Sequence, residues 1–320
     1  MPGYIETDME IRSLYISNIR DPFINLAVEY YLFLNMKDNE ECLILYVNAP
    51  CAVIGRHQNP LTECVIPELI REDVRLVRRF SGGGTVYHDQ GNLNFSFLSQ
   101  IREGGKERNF NIITGSFQKY GVDLQSSERG DLFLNGKKVS GSAYRYQKKR
   151  FLHHGTLLIS TPSEYVSRYL LKTPPEFIVS KAVSSKPAPV CSIASVFPEI
   201  DINKAMELIS IEYGASNKKI IDIDSELVAF SEEFYRQLIS WEWIWGNTPD
   251  FYVLKNNAAL RFHKGSLTFP NPGGESMINI KIGPEYIKDA ENIINKQLTN
   301  INHKANYYRE ILKMLINLIK

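Results

Sequence analysis

Between Arg78 and Ser96 the chain reads RRFSGGGTVYHDQGNLNFS, which gathers Arg79, Ser81, three consecutive glycines (Gly82, Gly83, Gly84), Thr85, His88, Asp89 and Asn92 into one short span. Glycine loses more backbone freedom on folding than any other residue. A run of it is retained where φ must be positive or where a ligand lies against bare main chain. The N–H groups of such a turn, with guanidinium groups beside them, make a surface for an anion. An ordinary tight hairpin with polar neighbours is the alternative, and the density of polar groups around the glycines favours the site.

A second stretch, GDLFLNGKKVSGSAYR from Gly130 to Arg145, is built to present a cation. Asn135-Gly136 is the turn most favoured between hairpin strands. The returning strand then carries Lys138, Ser140, Ser142 and Tyr144 on one face, because side chains alternate with period two. A lysine among small residues can touch a ligand closely; a solvent-facing hairpin is the other reading. The spacing from Gly130 to Lys138 does not fit a nucleotide-binding P-loop, and the hydroxyl that loop needs after its lysine is missing. Further on, His153 and His154 are neighbours on a strand, so they face opposite ways and at most one enters a pocket. With no third ligand at a suitable spacing, no metal held by the protein alone is expected. There is no G-x-S-x-G elbow and no carboxylate pair singled out by spacing. A site rich in cations and main-chain N–H groups but poor in bases suits chemistry at phosphate, where positioning and charge stabilisation supply most of the catalysis.

These residues need a scaffold, and the composition provides for one. The chain has 320 residues, 43% of them hydrophobic, and a net charge of +1, which suggests one large domain or two unequal ones. So small a net charge gives no global attraction to nucleic acid or membrane. The apolar runs fall far short of the roughly 20 residues that span a bilayer. The opening MPGYIETDME lacks the basic and apolar regions of a targeting signal, and the four cysteines show no C-x-x-C spacing, so reduced thiols in a cytoplasmic protein are expected. Periodicity predicts strands over 10–17, 42–47, 52–55, 93–98 and 151–160. It predicts helices from Pro22 (with Phe23, Leu26, Ala27, Tyr30 and Leu34 on one stripe), over 110–120 closed by Gly121, over 203–213 and over 226–239. Residues 171–198 read as a long functional loop, and Trp241, Trp243 and Trp245 as packing. After a boundary at 247–249 come three or four short strands, with turns at Lys264-Gly265 and Pro272-Gly273-Gly274, and then two helices.

Taken together and in order, IGRHQNP, RRFSGGGTVYHDQGN, KKVSGSAYR, HHGTLL and SWEWIWG resemble the lipoate–protein ligases, a family of lipoyl-adenylate-forming ligases and lipoyltransferases, over about residues 21–246. The resemblance implies an α+β fold: a mixed-sheet catalytic domain over 1–246 related to biotin ligases, and a small α+β C-terminal accessory domain over 247–320. It implies ATP and Mg2+ as co-reactants and lipoate as substrate, joined as lipoyl-AMP with loss of pyrophosphate. The lipoyl group then passes to a lysine of a lipoyl domain, in 2-oxoacid dehydrogenase complexes or the glycine cleavage H protein. Carried over by motif, Lys138 is the catalytic contact to carboxylate and phosphate. Ser81, Gly82, Gly83, Gly84, Thr85 and Val86 line the acyl and phosphate path with Arg79, His88, Ala143 and His154, and Arg145 falls on the adenylate side. Val86 and Leu157 can house the fatty chain, each buried methylene contributing about 0.8 kcal/mol. Two positions depart from the pattern: Gly130 stands where an asparagine is usual, and 181–193 keeps only traces of the family's loop. A lipoyltransferase that uses preformed lipoyl-AMP and a non-catalytic lipoate-binding protein are the alternatives. An octanoyl transferase is disfavoured, since Cys191 is its only candidate nucleophile. The expected protein is a monomer with no nucleic-acid or membrane partner, cytoplasmic, or mitochondrial in a eukaryote.

Overall fold

Asp21 starts the first helix, Pro22–Asn35, by accepting the N–H groups of Phe23 and Ile24 on its carboxylate at 2.8 and 3.2 Å. Proline at the first helical position costs nothing there, since its missing N–H would have had no partner. This is the start predicted from Pro22. The computed structural model describes residues 11–255, 258–270, 277–297 and 303–320. The opening ten residues and the turn Pro272-Gly273-Gly274 therefore lie outside the described residues. The fold is α+β with mixed sheets. The chain divides into two units, each woven from separate segments: one holds the chain up to Ala49, His88–Ser163 and Ala188–Tyr235, the other Pro50–Tyr87, Glu164–Pro187 and Arg236–Lys320. Among the described residues no helix is long and apolar enough to cross a membrane.

The first unit is organised on a six-stranded sheet, in the order Ser142–Gln147, Arg150–Leu158, Asn92–Gln100, Glu40–Tyr46, Ile11–Ser17, Asn217–Ile221. The three pairings among the first four strands are antiparallel, while Ile11–Ser17 pairs in parallel on both sides, with Glu40–Tyr46 and with Asn217–Ile221. Alternation sorts the side chains. Leu43, Leu45, Phe95 and Phe97 pack on one face against Phe110, Ile113 and Phe117 of Gly105–Gln118 and against Leu208, Ile209 and Tyr213 of Ile202–Tyr213. Ile44, Ser96, His154 and Ala143 are successive register partners on the opposite face, where Glu29 of Pro22–Asn35 bonds to both Ser96 and His154. Leu132–Leu134 and Lys137–Ser140 form the expected hairpin through Asn135 and Gly136, both at positive φ (50° and 75°). Its returning strand does not continue to Tyr144. At Gly141 pairing changes from this small sheet to the edge of the large one, and a Cβ there would crowd Lys138.

The second unit places Cys51–Ile54 between Arg75–Arg78, its parallel partner, and Val86–His88. A further sheet joins Ile178–Ser180 to Phe251–Lys255 and Ala258–Phe262, and Ser266–Pro270 pairs with Met277–Lys281. One apolar core unites Ala52, Ile54, Leu61 and Leu69 with Phe251, Phe262, Leu312 and Ile316. The segment beyond the tryptophans thus packs on the same core as the strands that carry the glycine turn. The helix predicted over 226–239 is broken into Glu226–Phe230 and Glu232–Ile239. Buried Ser231 lies at the break and donates its hydroxyl to the carbonyl of Val228 at 2.9 Å, the kind of local bond by which serine competes with a helix ladder.

Candidate active site

Two buried arginines shape the glycine turn. Arg78 is fully buried, and its guanidinium donates to the carbonyls of Gly55, Arg56, Gln58 and Ile244 and to the hydroxyl of Thr248 at 2.6–3.2 Å. Burial pushes its pKa down to about 9, and the carbonyl dipoles hold the charge. Arg79 reaches the turn itself: Nη2 donates to the carbonyls of Gly82 and Gly84 at 2.6 and 2.7 Å, Nη1 to Val53 at 3.0 Å, and Nε to Ser81 Oγ at 3.0 Å. Gly83 sits at φ +86°, in the left-handed region. A Cβ on Gly55 would lie 2.2 Å from the Gly83 carbonyl oxygen, so the loop IGRHQNP and the turn touch backbone to backbone. Gly55→Ala is expected to displace the turn and lower activity by about 100-fold, the cost of misplacing a site by roughly 1 Å, as read by initial rates at saturating substrate.

Thr85 continues the turn into Val86–His88, and its surroundings are polar and partly buried. Its N–H donates to Ser185 Oγ at 2.8 Å, and its hydroxyl lies 2.9 Å from Gln58 Oε1 and 3.1 Å from Glu63 Oε2. Glu63 is buried, which pushes its carboxyl above the ordinary range against the opposing bonds from Ser185, Thr85 and Gln58. Arg79, Ser81, Gly82, Gly83, Gly84, Thr85 and Val86 therefore gather in one unit, and His88, Lys138, Ala143, Arg145 and His154 in the other.

In that other unit Lys138 extends its ammonium to Asp131 at 2.9 Å, with its side chain 22% exposed. A Cβ at Gly141 would stand 3.2 Å from that ammonium. The strand's backbone is tied to the segment after residue 187: Lys138 N–H donates to the Pro189 carbonyl at 2.8 Å, and Cys191 N–H to the Lys138 carbonyl at 3.1 Å. His88 Nδ1 accepts from Asn48 Nδ2 at 3.0 Å; that assignment follows because Asn48 Oδ1 takes Asn25 Nδ2 at 2.9 Å. His154 pairs with Glu29 at 2.9 Å beneath Ala143. Arg145 donates to Tyr30 and Gln147 at 3.1 and 2.9 Å.

His153 faces the other way, as predicted for adjacent strand positions, among the rings of Phe95, Phe110 and Tyr144. Burial pushes its pKa from 6.5 down to about 3. Between those values the unfolded chain binds a proton that the folded chain refuses. This contribution to stability is therefore complete above pH 6.5 and is lost as pH falls. Relative to His153→Phe, the wild type should lose about 2 kcal/mol between pH 7 and pH 5 in denaturant titrations.

Sequence reasoning passed over Glu29, Glu63, Asp131 and Ser185. Glu29 carried a signal, a carboxylate within a helix whose neighbours Val28 and Tyr30 are apolar; Ser185 carried none beyond its place in a long loop.

An α+β fold carrying a glycine turn and a strand-borne lysine offers main-chain amides and a cation to an anionic substrate. Residues 21–213 match the lipoyl protein ligase A/B catalytic domain. A lipoate–protein ligase A from Bdellovibrio bacteriovorus is 35% identical over 253 residues, 76% of this chain and 74% of its own. In structure the chain is similar to P. falciparum LipL1, solved in complex with lipoate, at a TM-score of 0.64 and 24% identity over 96% of this chain and 99% of that one. It is likewise similar to a lipoate–protein ligase A solved with ATP, at a TM-score of 0.63 and 20% identity over 73% and 98%. The chain belongs to the lipoyl protein ligase A/B family and is an enzyme, a lipoate–protein ligase.

Proposed function

We propose that the enzyme forms lipoyl-AMP from lipoate and Mg-ATP and then transfers the lipoyl group to a lipoyl domain. In the first step a lipoate carboxylate oxygen attacks the α-phosphorus and pyrophosphate leaves. In the second a lysine ε-amine of the acceptor attacks the acyl carbon, AMP departs and the amine gives up a proton. Lys138 is the catalytic residue in this reading. Its ammonium offsets the charge of carboxylate and α-phosphate as they approach, and then that of the departing AMP. The carrying observation is the setting of Lys138, an ammonium on a short strand held by Asp131 at 2.9 Å, with glycine at 141 leaving its near side free of bulk. The turn residues Ser81, Gly82, Gly83, Gly84, Thr85 and Val86, with Arg79, His88, Ala143, Arg145 and His154, bind lipoyl-AMP and ATP, and Mg2+ arrives with the nucleotide. Residues 1–246 form the catalytic part and 247–320 the accessory part. The acceptors are lipoyl domains of 2-oxoacid dehydrogenase complexes and the glycine cleavage H protein, met by a cytoplasmic monomer.

One observation favours a second reading. At Gly130, where φ is +87°, a Cβ would lie 2.0 Å from Tyr144 Oη, so the usual asparagine has no room. A missing polar contact there suits a lipoyltransferase that takes preformed lipoyl-AMP. Lipoate-dependent exchange of pyrophosphate into ATP without acceptor, followed by intact-mass analysis of a lipoyl domain, separates the two. The ligase gives exchange and a lipoyl mass shift from ATP and lipoate. The transferase gives no exchange and labels the acceptor only from synthetic lipoyl-AMP.

A further inference from the structure

The segment 181–187 lies on the glycine turn, and one hydroxyl gathers three of the bonds that fasten it there. Ser185 Oγ uses its full capacity: it donates to Glu63 Oε2 and accepts from Thr85 N–H at 2.8 Å and from Gln58 Nε2 at 3.1 Å. The Ser185 N–H also points at the Glu63 carboxylate, at 3.2 and 3.3 Å. Two residues earlier, Val183 N–H donates to the His57 carbonyl at 3.0 Å, so the segment is held along its length. Glu63 is 3% exposed and belongs to Pro60–Glu63, whose four residues are all buried, which makes it a fixed post. Gly84 completes the fit, because a Cβ there would meet Ser185 Oγ at 3.1 Å.

We propose that Glu63 is a positioning residue: through the Ser185 hydroxyl it clasps segment 181–187 over the glycine turn, and this clasp keeps bound acyl adenylate from water until an acceptor arrives. The inference rests on the reading that this chain forms an acyl adenylate. Such an anhydride is lost when a water oxygen bonds to the acyl carbon, the bond from that carbon to the phosphate oxygen breaks, and lipoate and AMP leave with release of the water's protons. A cover prevents this only while it stays shut. The hydroxyl and the N–H of Ser185 both end on the Glu63 carboxyl, and with the bonds from Thr85 and Gln58 they are made within the protein, ahead of any ligand.

The test uses the full chain, with Ser185→Ala and Glu63→Gln as variants and Ser185→Thr as the conservative rescue. Hydrogen exchange of ligand-free protein reads the clasp itself: amides of 181–187 should exchange roughly tenfold faster in Ser185→Ala and near the wild-type rate in Ser185→Thr. Unchanged exchange in Ser185→Ala overturns the clasp whatever reaction the enzyme performs. With ATP, Mg2+ and lipoate but no acceptor, AMP release should rise about tenfold in Ser185→Ala and Glu63→Gln and return in Ser185→Thr. Wild-type AMP release in variants that still exchange pyrophosphate overturns the guarding role. Absence of pyrophosphate exchange in the wild type would instead fail the adenylate reading, leaving the exchange of 181–187 to decide the clasp.

Discussion

Replacing Lys138 by alanine is expected to lower lipoate-dependent pyrophosphate exchange by at least about two orders of magnitude, the cost of removing one preorganised charge-stabilising donor. The residue lies on a short strand whose packing depends on buried Val139, so the change removes the charge while the strand keeps its anchor. Its backbone bonds to Pro189 and Cys191 are also unaffected by the side chain. Arginine at 138 is not expected to rescue: it is longer and forked, and the room beside Gly141 is measured for a compact ammonium. Exchange near the wild-type rate in Lys138→Ala would remove the residue from the chemistry. Transfer from synthetic lipoyl-AMP should fall as well, because the departing AMP loses the same cation.

Arg78→Ala is the largest stability change expected. Four carbonyls and a hydroxyl, from segments as far apart as Gly55 and Thr248, lose their shared donor inside a dry core. Each buried acceptor left alone costs about 1–3 kcal/mol, and partial relaxation brings the net loss to about 3–5 kcal/mol. Thermal unfolding should move down by roughly 6 °C. Lysine at 78 cannot restore it, since a single ammonium cannot span the acceptors that a planar fork reaches. A melting temperature within about 2 °C of wild type would show that the acceptors find water or each other. The tryptophan run is part of the same construction: Trp243 Nε1 donates to the Arg78 carbonyl at 2.7 Å, so residues expected to pack also fix the strand before the glycine turn.

Much of the local structure was legible. Pro22 announced a helix start and Asn135-Gly136 a two-residue turn, and the alternation of His153 and His154 turned the two imidazoles to opposite faces. Each rests on sterics or hydrogen bonds between residues close in sequence. The misses have the opposite character. Asn217–Ile221 becomes a strand only because Ile11–Ser17 offers an edge. The break at Gly141 exists because two sheets compete for one segment, and the break at Ser231 because a buried hydroxyl takes a helix carbonyl. The candidate site divides in the same way. The positions of the glycines, Lys138 and the histidine pair were visible as residue types at turns and strand ends. Their partners Asp131, Glu29, Glu63 and Ser185 were not.

By itself, then, the sequence determined the kind of protein this is: the motifs in their order, the strands and helices that carry them, and the cations and bare amides offered to an anion. These follow from short-range geometry, which any stretch of chain expresses before it folds. Tertiary structure alone decided what holds them: the carbonyls gathered around Arg78, the carboxylate set beneath His154, and the serine from 181–187 lodged on the amide of Thr85. A buried polar group must find a partner wherever the fold brings one, and that partner's place in the chain is set by packing and carries no local mark.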